Sequence, residues 1–398
     1  MNKNIFVILA WGLYDLANQF FALNIVSLYF VRWLTIEKAI PEIFYSISFG
    51  ISCLFIAISA PILGNISDAS NRRMPFLIWL TLLSVIFTML LGVSENIIIA
   101  LLFFAIANFG CQAAVVFYNA LLVNIAPKSK IGLVSGIGRM MGYCGALLAL
   151  YIIKPIVLKS GYRATFFPTG VLFLIFAIPC MVFIKDKQAA GPVKTAPKLK
   201  DIILNYKKFP GLADFLKAAF FCLCVVNAII LFMSVYATKV FRLDETQIIN
   251  LVGFSTLFAI AGSFASGFLS DFFGAKRSLL AVIILWQAAV LSGAFITNSR
   301  FYLFIGALAG AALGSVWTVA RVLTIRIVPE GRVGEVFGLF NLVGYLSSIA
   351  GSIFWGLLSW WLLPLKEIGY RITLLSMSIF LVLSFIFLLR VKEKRSEP

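Results

Sequence analysis

Residues 64–73 read GNISDASNRR, and residues 267–277 read GFLSDFFGAKR. Each is a Gly-x-x-Ser-Asp turn followed by basic residues, and the two aspartates, Asp68 and Asp271, stand 203 residues apart. A second, unrelated pattern recurs at nearly the same displacement. Pro127, Gly132, Gly136, Gly142 and Tyr143 return as Pro329, Gly334, Gly338, Gly344 and Tyr345, each 202 residues later. Two patterns sharing one offset mark an internal duplication running the length of the chain.

The duplicated unit is greasy. Of 398 residues, 62% are hydrophobic and 12% charged, with a mean hydropathy of +1.02. A water-soluble exterior needs more charge than this. Apolar runs long enough to cross a ~30 Å hydrocarbon core recur at about 5–31, 43–66, 74–93, 97–125, 132–153, 164–184, 212–238, 247–272, 278–297, 301–325, 335–363 and 370–389. The runs are continuous rather than alternating, which selects helices over barrel strands. The expected fold is all-α: a polytopic membrane protein of twelve transmembrane helices in two six-helix parallel repeats. Residues 185–210, rich in Lys, Pro and Gly, divide 1–184 from 211–398 and read as a cytoplasmic linker between an N-terminal and a C-terminal bundle. Parallel repeats of this kind are typical of transporters that rock around a central site.

The net charge of +17 is a topology signal rather than a nucleic-acid footprint. With a cytoplasmic N-terminus, 20 Lys/Arg fall in inner segments, 10 in outer loops and three within spans. That asymmetry predicts that both termini are cytoplasmic. The setting that follows is a bacterial inner membrane, or a vacuolar membrane if the chain is eukaryotic. All six cysteines fall within the spans, and there is no histidine. Metal binding is therefore not expected, and any proton relay must use carboxylates. Neither a P-loop nor a nucleophile–base motif occurs, so no enzyme activity and no cofactor is expected.

The duplicated Gly-x-[Ile/Leu]-Ser-Asp turn in a six-plus-six chain resembles the loop signature of the major facilitator superfamily. The resemblance implies that Asp68, Arg72 and Arg73 in one half, and Asp271, Lys276 and Arg277 in the other, latch the halves on the cytoplasmic side. Asn71 departs from the pattern, standing where the turn glycine usually sits. A narrower resemblance is carried by LYDLAN (13–18), YNALLVNIAP (118–127) and SGIGRMMGY (135–143). These are similar to the family that includes the autophagy-related vacuolar amino-acid effluxers and its bacterial members. They imply transport of small solutes, with amino acids the leading class.

Polar residues inside the apolar runs are the candidate site. A charged side chain at mid-membrane costs ~2.5–3.5 kcal/mol on insertion scales, so it is kept where it faces a cavity or a partner. Trp11, Asp15, Asn18, Gln19 and Ala22 form one helical stripe, with Asn24 on the opposite side as a helix-packing group. Asp15 fits either a structural ion pair or a site for a proton, cation or substrate amine. By the repeat offset, Asp15 corresponds to Lys217, Asn119 to Arg321 and Arg139 to Asn341. The superfamily resemblance puts the first, fourth, seventh and tenth helices around the central cavity, which would then include Asp15, Gln112, Asn119, Lys217 and Arg321. Arg321 suits carboxylate or phosphate but is also near enough to a helix end to snorkel. Lys217 has the same alternative, or could pair with Asp214. Arg139, with Tyr143 one turn later, and their counterparts Asn341 and Tyr345 suit the inner gate. The glycines of the fifth and eleventh spans would permit close helix approach.

The sequence thus points to a monomeric secondary active transporter of a small polar organic solute, an amino acid or related zwitterion or anion. It would work by rocker-switch alternating access, with a proton or cation as candidate co-transported partner and the lipid bilayer as its solvent. A transporter of lipid-like amphiphiles, suggested by 39 Phe, and a non-transporting receptor or scaffold of the same fold are the alternatives.

Overall fold

The computed structural model describes residues 3–70, 73–93, 95–125, 131–186, 211–327 and 333–391, and for side chains a subset of these. The described residues form helices joined by short turns. We number the long helices α1 (Lys3–Phe21), α2 (Glu42–Ser70), α3 (Met74–Leu90), α4 (Ile97–Ile125), α5 (Ile131–Ser160) and α6 (Phe166–Phe183). They continue with α7 (Leu212–Phe241), α8 (Glu245–Phe273), α9 (Ala275–Phe295), α10 (Tyr302–Ile327), α11 (Val333–Trp361) and α12 (Glu367–Arg390). Eleven are long and apolar enough to cross a membrane, counting α1 together with its continuation, and α3 is an apolar helix of 17 residues. At 1.5 Å per residue α3 still reaches ~25 Å.

Helices satisfy their own backbone groups, which hydrocarbon demands, and buried hydroxyls follow the same rule. Thr81, Thr88, Thr324 and Thr373 each donate to the carbonyl four residues earlier. Turns are made by glycines in the left-handed region, Gly161, Gly211 and Gly274. The start of α8 is closed by a capping box between Asp244 and Gln247, satisfying amides that the helix itself leaves open.

The first span extends beyond its expected end. After Phe21 it continues through π-helical turns, Ala22–Leu28 and Trp33–Glu37, separated by the short α-helix Tyr29–Arg32. The candidate span is Ile5–Glu37, which takes in Arg32, just past the end of the apolar run at about 5–31. Arg32 is 2% exposed and donates to Tyr162 Oη at 2.9 Å. A charge with an aromatic hydroxyl partner can remain inside an apolar segment, and hydropathy alone does not detect such partners. The fifth span is also longer than expected, so Pro155 lies inside α5 rather than at its end.

The chain divides into two units, Met1–Ile40 with Ile47–Ala196, and Pro41–Ser46 with Pro197–Pro398. In unit 1, α1 packs on α5 and α6, and α3 on α4 and α6. In unit 2, α7 packs on α11 and α12, and α9 on α10 and α12. Each contact recurs six helices later, so the duplication read from the sequence is also a duplication of packing. Arginines fasten the third helix of each set of six to the sixth. Arg163 donates to Gly92 O at 2.7 Å, Val93 O at 2.9 Å and Glu95 at 2.6 Å. Arg371 donates to Ala294 O at 2.8 Å and Ile296 O at 2.9 Å. At the other ends, Asp186 accepts from the Arg73 and Met74 amides at 3.1–3.2 Å, while Lys276 Nζ donates to Leu389 O at 2.8 Å. Arg73 and Lys276 are 203 apart, as are Asp186 and Leu389, so one junction is kept with opposite chemistry.

Candidate functional site

The polar centre of unit 1 is assembled on α1. Along its buried face Trp11, Asp15 and Asn18 are 3%, 9% and 6% exposed, while Gln19 is half-buried at the edge of the stripe. The indole of Trp11 donates to the Tyr118 carbonyl at 3.2 Å and its ring stacks on the Tyr118 ring, centroids 4.5 Å apart. Tyr14 also stacks on Tyr118, centroids 5.0 Å apart, and its hydroxyl pairs with Thr81 on α3. Three aromatic rings therefore tie α1 to α4. Stacked pairs of this kind are worth ~0.5–1.5 kcal/mol beyond their area.

The opposite wall is α5, and its glycines decide how near it comes. A methyl on Gly138 would meet the Trp11 ring at 2.6 Å, and one on Gly145 would meet Leu16 O at 2.5 Å. Between them lies Gly142, whose missing side chain leaves room for the Asp15 carboxylate: a Cβ there would stand 3.3 Å from Oδ2. Asp15 is thus held at the close crossing of α1 and α5. One turn further, Asn18 Oδ1 faces Cys111 Sγ of α4 at 3.8 Å, and Asn18 Nδ2 is buried without a hydrogen-bond partner among the described residues. An aspartate beside an amide with unused donor capacity can receive a proton, a cation or an ammonium group on one atom and a carbonyl or carboxylate on another.

The other sequence candidates fall into distinct places. Gln112 is half-buried and Asn119 exposed, next to Cys111 and Tyr118 respectively on α4. Tyr143 is half-buried on α5. Asn24 lies 3.3 Å from Thr169 across α1 and α6, the helix-packing role expected of it. In unit 2, Lys217 is exposed, with Nζ 5.3 Å from the Phe387 ring centroid and Arg390 stacked on the same ring at 5.6 Å. This puts the lysine on the α7–α12 pair. Arg321 is half-buried on α10, one turn from Thr318, whose hydroxyl pairs with Ser263 of α8 at 2.8 Å. Asn341 is exposed and Tyr345 half-buried on α11. Arg277 is exposed, whereas Arg73 and Lys276 take part in the junctions with Asp186 and Leu389. Arg72 and the side chains of Asp68, Arg139 and Asp271 lie outside the described residues.

Tyr14, Thr81, Cys111 and Tyr118 do not stand out as site residues in the sequence, because helical periodicity shows which face a residue occupies and not which helix meets it. Tyr118 opens the quoted YNALLVNIAP stretch, so the signal is present there without its partner. Gly142 carries the repeat pattern, yet a methyl added at its counterpart Gly344 would meet nothing within 4 Å. The same residue type serves a site in one half and open space in the other. Among the described residues no cluster of His, Cys, Asp or Glu could hold a metal, and the six cysteines are free thiols.

The family model for the Major Facilitator Superfamily matches residues 16–244 and 215–398. An uncharacterized protein of Aquifex aeolicus is 27% identical over 385 residues, covering 96% of each chain. Multidrug resistance protein MdtG of Enterobacter lignolyticus is 22% identical over 317 residues, covering 77% of this chain and 73% of that one. Autophagy-related protein 22 of Vanderwaltozyma polyspora is 24% identical over 306 residues, covering 67% of this chain and 58% of that one. Among solved structures, a bacterial homolog of the human lysosomal transporter Spinster superposes with a TM-score of 0.78 at 15% identity, covering all of both chains. The nucleoside transporter NupG gives 0.78 at 14% identity, covering 99% of this chain and 100% of that one. With both repeats matched by one family model and the fold shared along its whole length, the chain belongs to the Major Facilitator Superfamily, an integral membrane transporter family rather than an enzyme family.

Proposed function

We propose that this secondary transporter carries a small polar organic solute, an amino acid or related zwitterion or anion, by alternating access of 1–184 against 211–398 about the linker 185–210. Both termini would face the cytoplasm of a bacterial cell. The observation that carries the reading is the Asp15–Asn18 pair of α1, buried between α4 and α5 and framed by Trp11, Tyr14 and Tyr118. An ionisable group kept inside an apolar helix is a functional site by default. Asp15 would take an ammonium group or a coupling proton, and Arg321 of α10, always charged and fork-shaped, suits a carboxylate or phosphate. The resemblance of the LYDLAN stretch, which contains Asp15 and Asn18, supports amino acids as the class. The charged ends of a zwitterion need two such groups of opposite sign.

A second reading has its own observation. Unit 2 has a small, partly open apolar pocket lined by Ile229, Met233, Leu251, Trp355 and Leu374 with Tyr236 and Tyr302, which would admit part of an acyl chain and so favours a lipid-like amphiphile. Thermal unfolding of the detergent-purified chain against amino acids, organic acids, phosphates and lysolipids separates the two. A ligand at 100 times its dissociation constant adds ~2.7 kcal/mol to the native state. Stabilisation by amino acids, lost in Asp15→Asn and in Arg321→Ala, supports the polar-solute reading. Stabilisation by lysolipids alone supports the amphiphile reading.

A further inference from the structure

A second buried carboxylate lies in unit 2, at the start of the long helix that follows the α1 stripe. Glu42 opens α2 and is 2% exposed, and the segment Pro41–Ser46 belongs to unit 2. Its Oε1 accepts from the Tyr370 hydroxyl of α12, and its Oε2 lies 3.4 Å from the Ser359 hydroxyl of α11, whose one proton is shared with Gly356 O at 3.2 Å. The neighbourhood is aromatic and closely packed. Tyr45 meets Phe232 edge-on at 6.0 Å, Phe232 stacks on Trp355 at 5.7 Å, and Gly356 is pressed against Ile43 and Ser46. The charged or titratable groups acting on Glu42 from the surrounding helices are Tyr370 of α12 and Lys239 of α7. Arg371 on α12 is engaged by the Ala294 and Ile296 carbonyls, and Arg242 and Glu367 by one another at 2.8 Å.

Burying a carboxylate's charge to hold helices together is costly. What only the carboxylate offers is a change of hydrogen-bonding capacity on taking up a proton. As the anion it accepts on both oxygens through charge-assisted bonds; as the acid, one oxygen carries a proton and becomes a donor. We propose that Glu42 is a proton-binding site whose protonation loosens the start of α2 from α11 and α12. The proton comes from the aqueous phase and returns to it, and no other bond is made or broken. Because the same helix continues into unit 1 at Ile47, a proton taken up at Glu42 is placed to bias the transport cycle. This inference does not depend on Asp15 or on the substrate class.

The test uses the full chain in lipid and needs no substrate. Infrared difference spectra between acid and alkaline buffer are recorded for the parent chain, Glu42→Gln, Tyr370→Phe and Asp15→Asn. Deuterium uptake, corrected for intrinsic pH dependence, is followed in peptides covering 41–46 and 356–370. The expected result is a protonated-carboxyl stretch in the parent chain that is lost in Glu42→Gln and displaced in frequency and midpoint in Tyr370→Phe. Uptake in both peptides should rise on acidification in the parent chain and be raised at every pH in folded Glu42→Gln. A carboxyl stretch that survives in Glu42→Gln, or one lost only in Asp15→Asn, overturns the proposal while leaving the polar-solute reading standing. So does the absence of any titrating stretch.

Discussion

Replacing Gly145 by alanine puts a methyl 2.5 Å from Leu16 O and 2.7 Å from Leu16 Cα. Both are backbone atoms of α1, so no rotamer change relieves the clash. Ordinary carbon contacts begin near 3.5 Å, which requires α1 and α5 to separate by roughly 1 Å. Overpacking of this kind costs ~1–3 kcal/mol, against ~1 kcal/mol gained from alanine's helix propensity. The expected net effect of Gly145→Ala is a loss of up to ~2 kcal/mol. Gly344→Ala is the internal control, because nothing lies within 4 Å of its added methyl; it should gain up to ~1 kcal/mol. Thermal unfolding of the two variants in one detergent reads the difference as opposite shifts in Tm, on the order of 2–4 °C per kcal/mol for a unit of this size. Leu16 follows Asp15 directly, so Gly145→Ala should also weaken ligand stabilisation, and Gly344→Ala should leave it intact. Equal or greater stability of Gly145→Ala relative to Gly344→Ala would refute the α1–α5 crossing on which the site rests.

Four further outcomes follow from the geometry. Thr81→Val leaves the buried Tyr14 hydroxyl without its partner and should cost ~1–3 kcal/mol, read as a lower Tm with no change in secondary structure by circular dichroism. Arg163→Ala and Arg371→Ala each release two carbonyls, and because they lie in different units their losses should add to within ~0.5 kcal/mol in the double variant. Asp186→Ala removes the acceptor at the start of α3 and should cost ~0.5–2 kcal/mol, detected by denaturant titration. Lys217→Gln, whose parent lysine lies over Phe387, should leave ligand stabilisation unchanged; its loss would return Lys217 to the binding site.

The spans and the duplication are legible because both are one-dimensional signals: a continuous apolar run, and patterns repeated at 202 or 203 residues. Partners are harder to read. The stripe of Trp11, Asp15 and Asn18 can be drawn on a helical wheel, but its meeting with Gly142, Cys111 and Tyr118 depends on which helices pack. Offset arithmetic pairs Asp15 with Lys217, and the fold places that lysine against Phe387 on α12, because equivalent positions share a backbone location and not a direction of charge. Glu42 is concealed as well. Lying at the edge of an apolar run, it reads as solvated until Ser359 and Tyr370, more than 300 residues away, are brought to it. Arg32 is hidden for the same reason, since it meets Tyr162 only once the first span continues past α1 to Glu37.

The most direct test of a polar-solute transporter centred on Asp15 is uptake of a labelled amino-acid mixture into proteoliposomes under an imposed proton gradient, for the parent chain and Asp15→Asn. The account predicts saturable uptake by the parent chain that Asp15→Asn abolishes or uncouples from the gradient. Full gradient-driven uptake by Asp15→Asn, or movement of lysolipid with none of the amino acids, would contradict it.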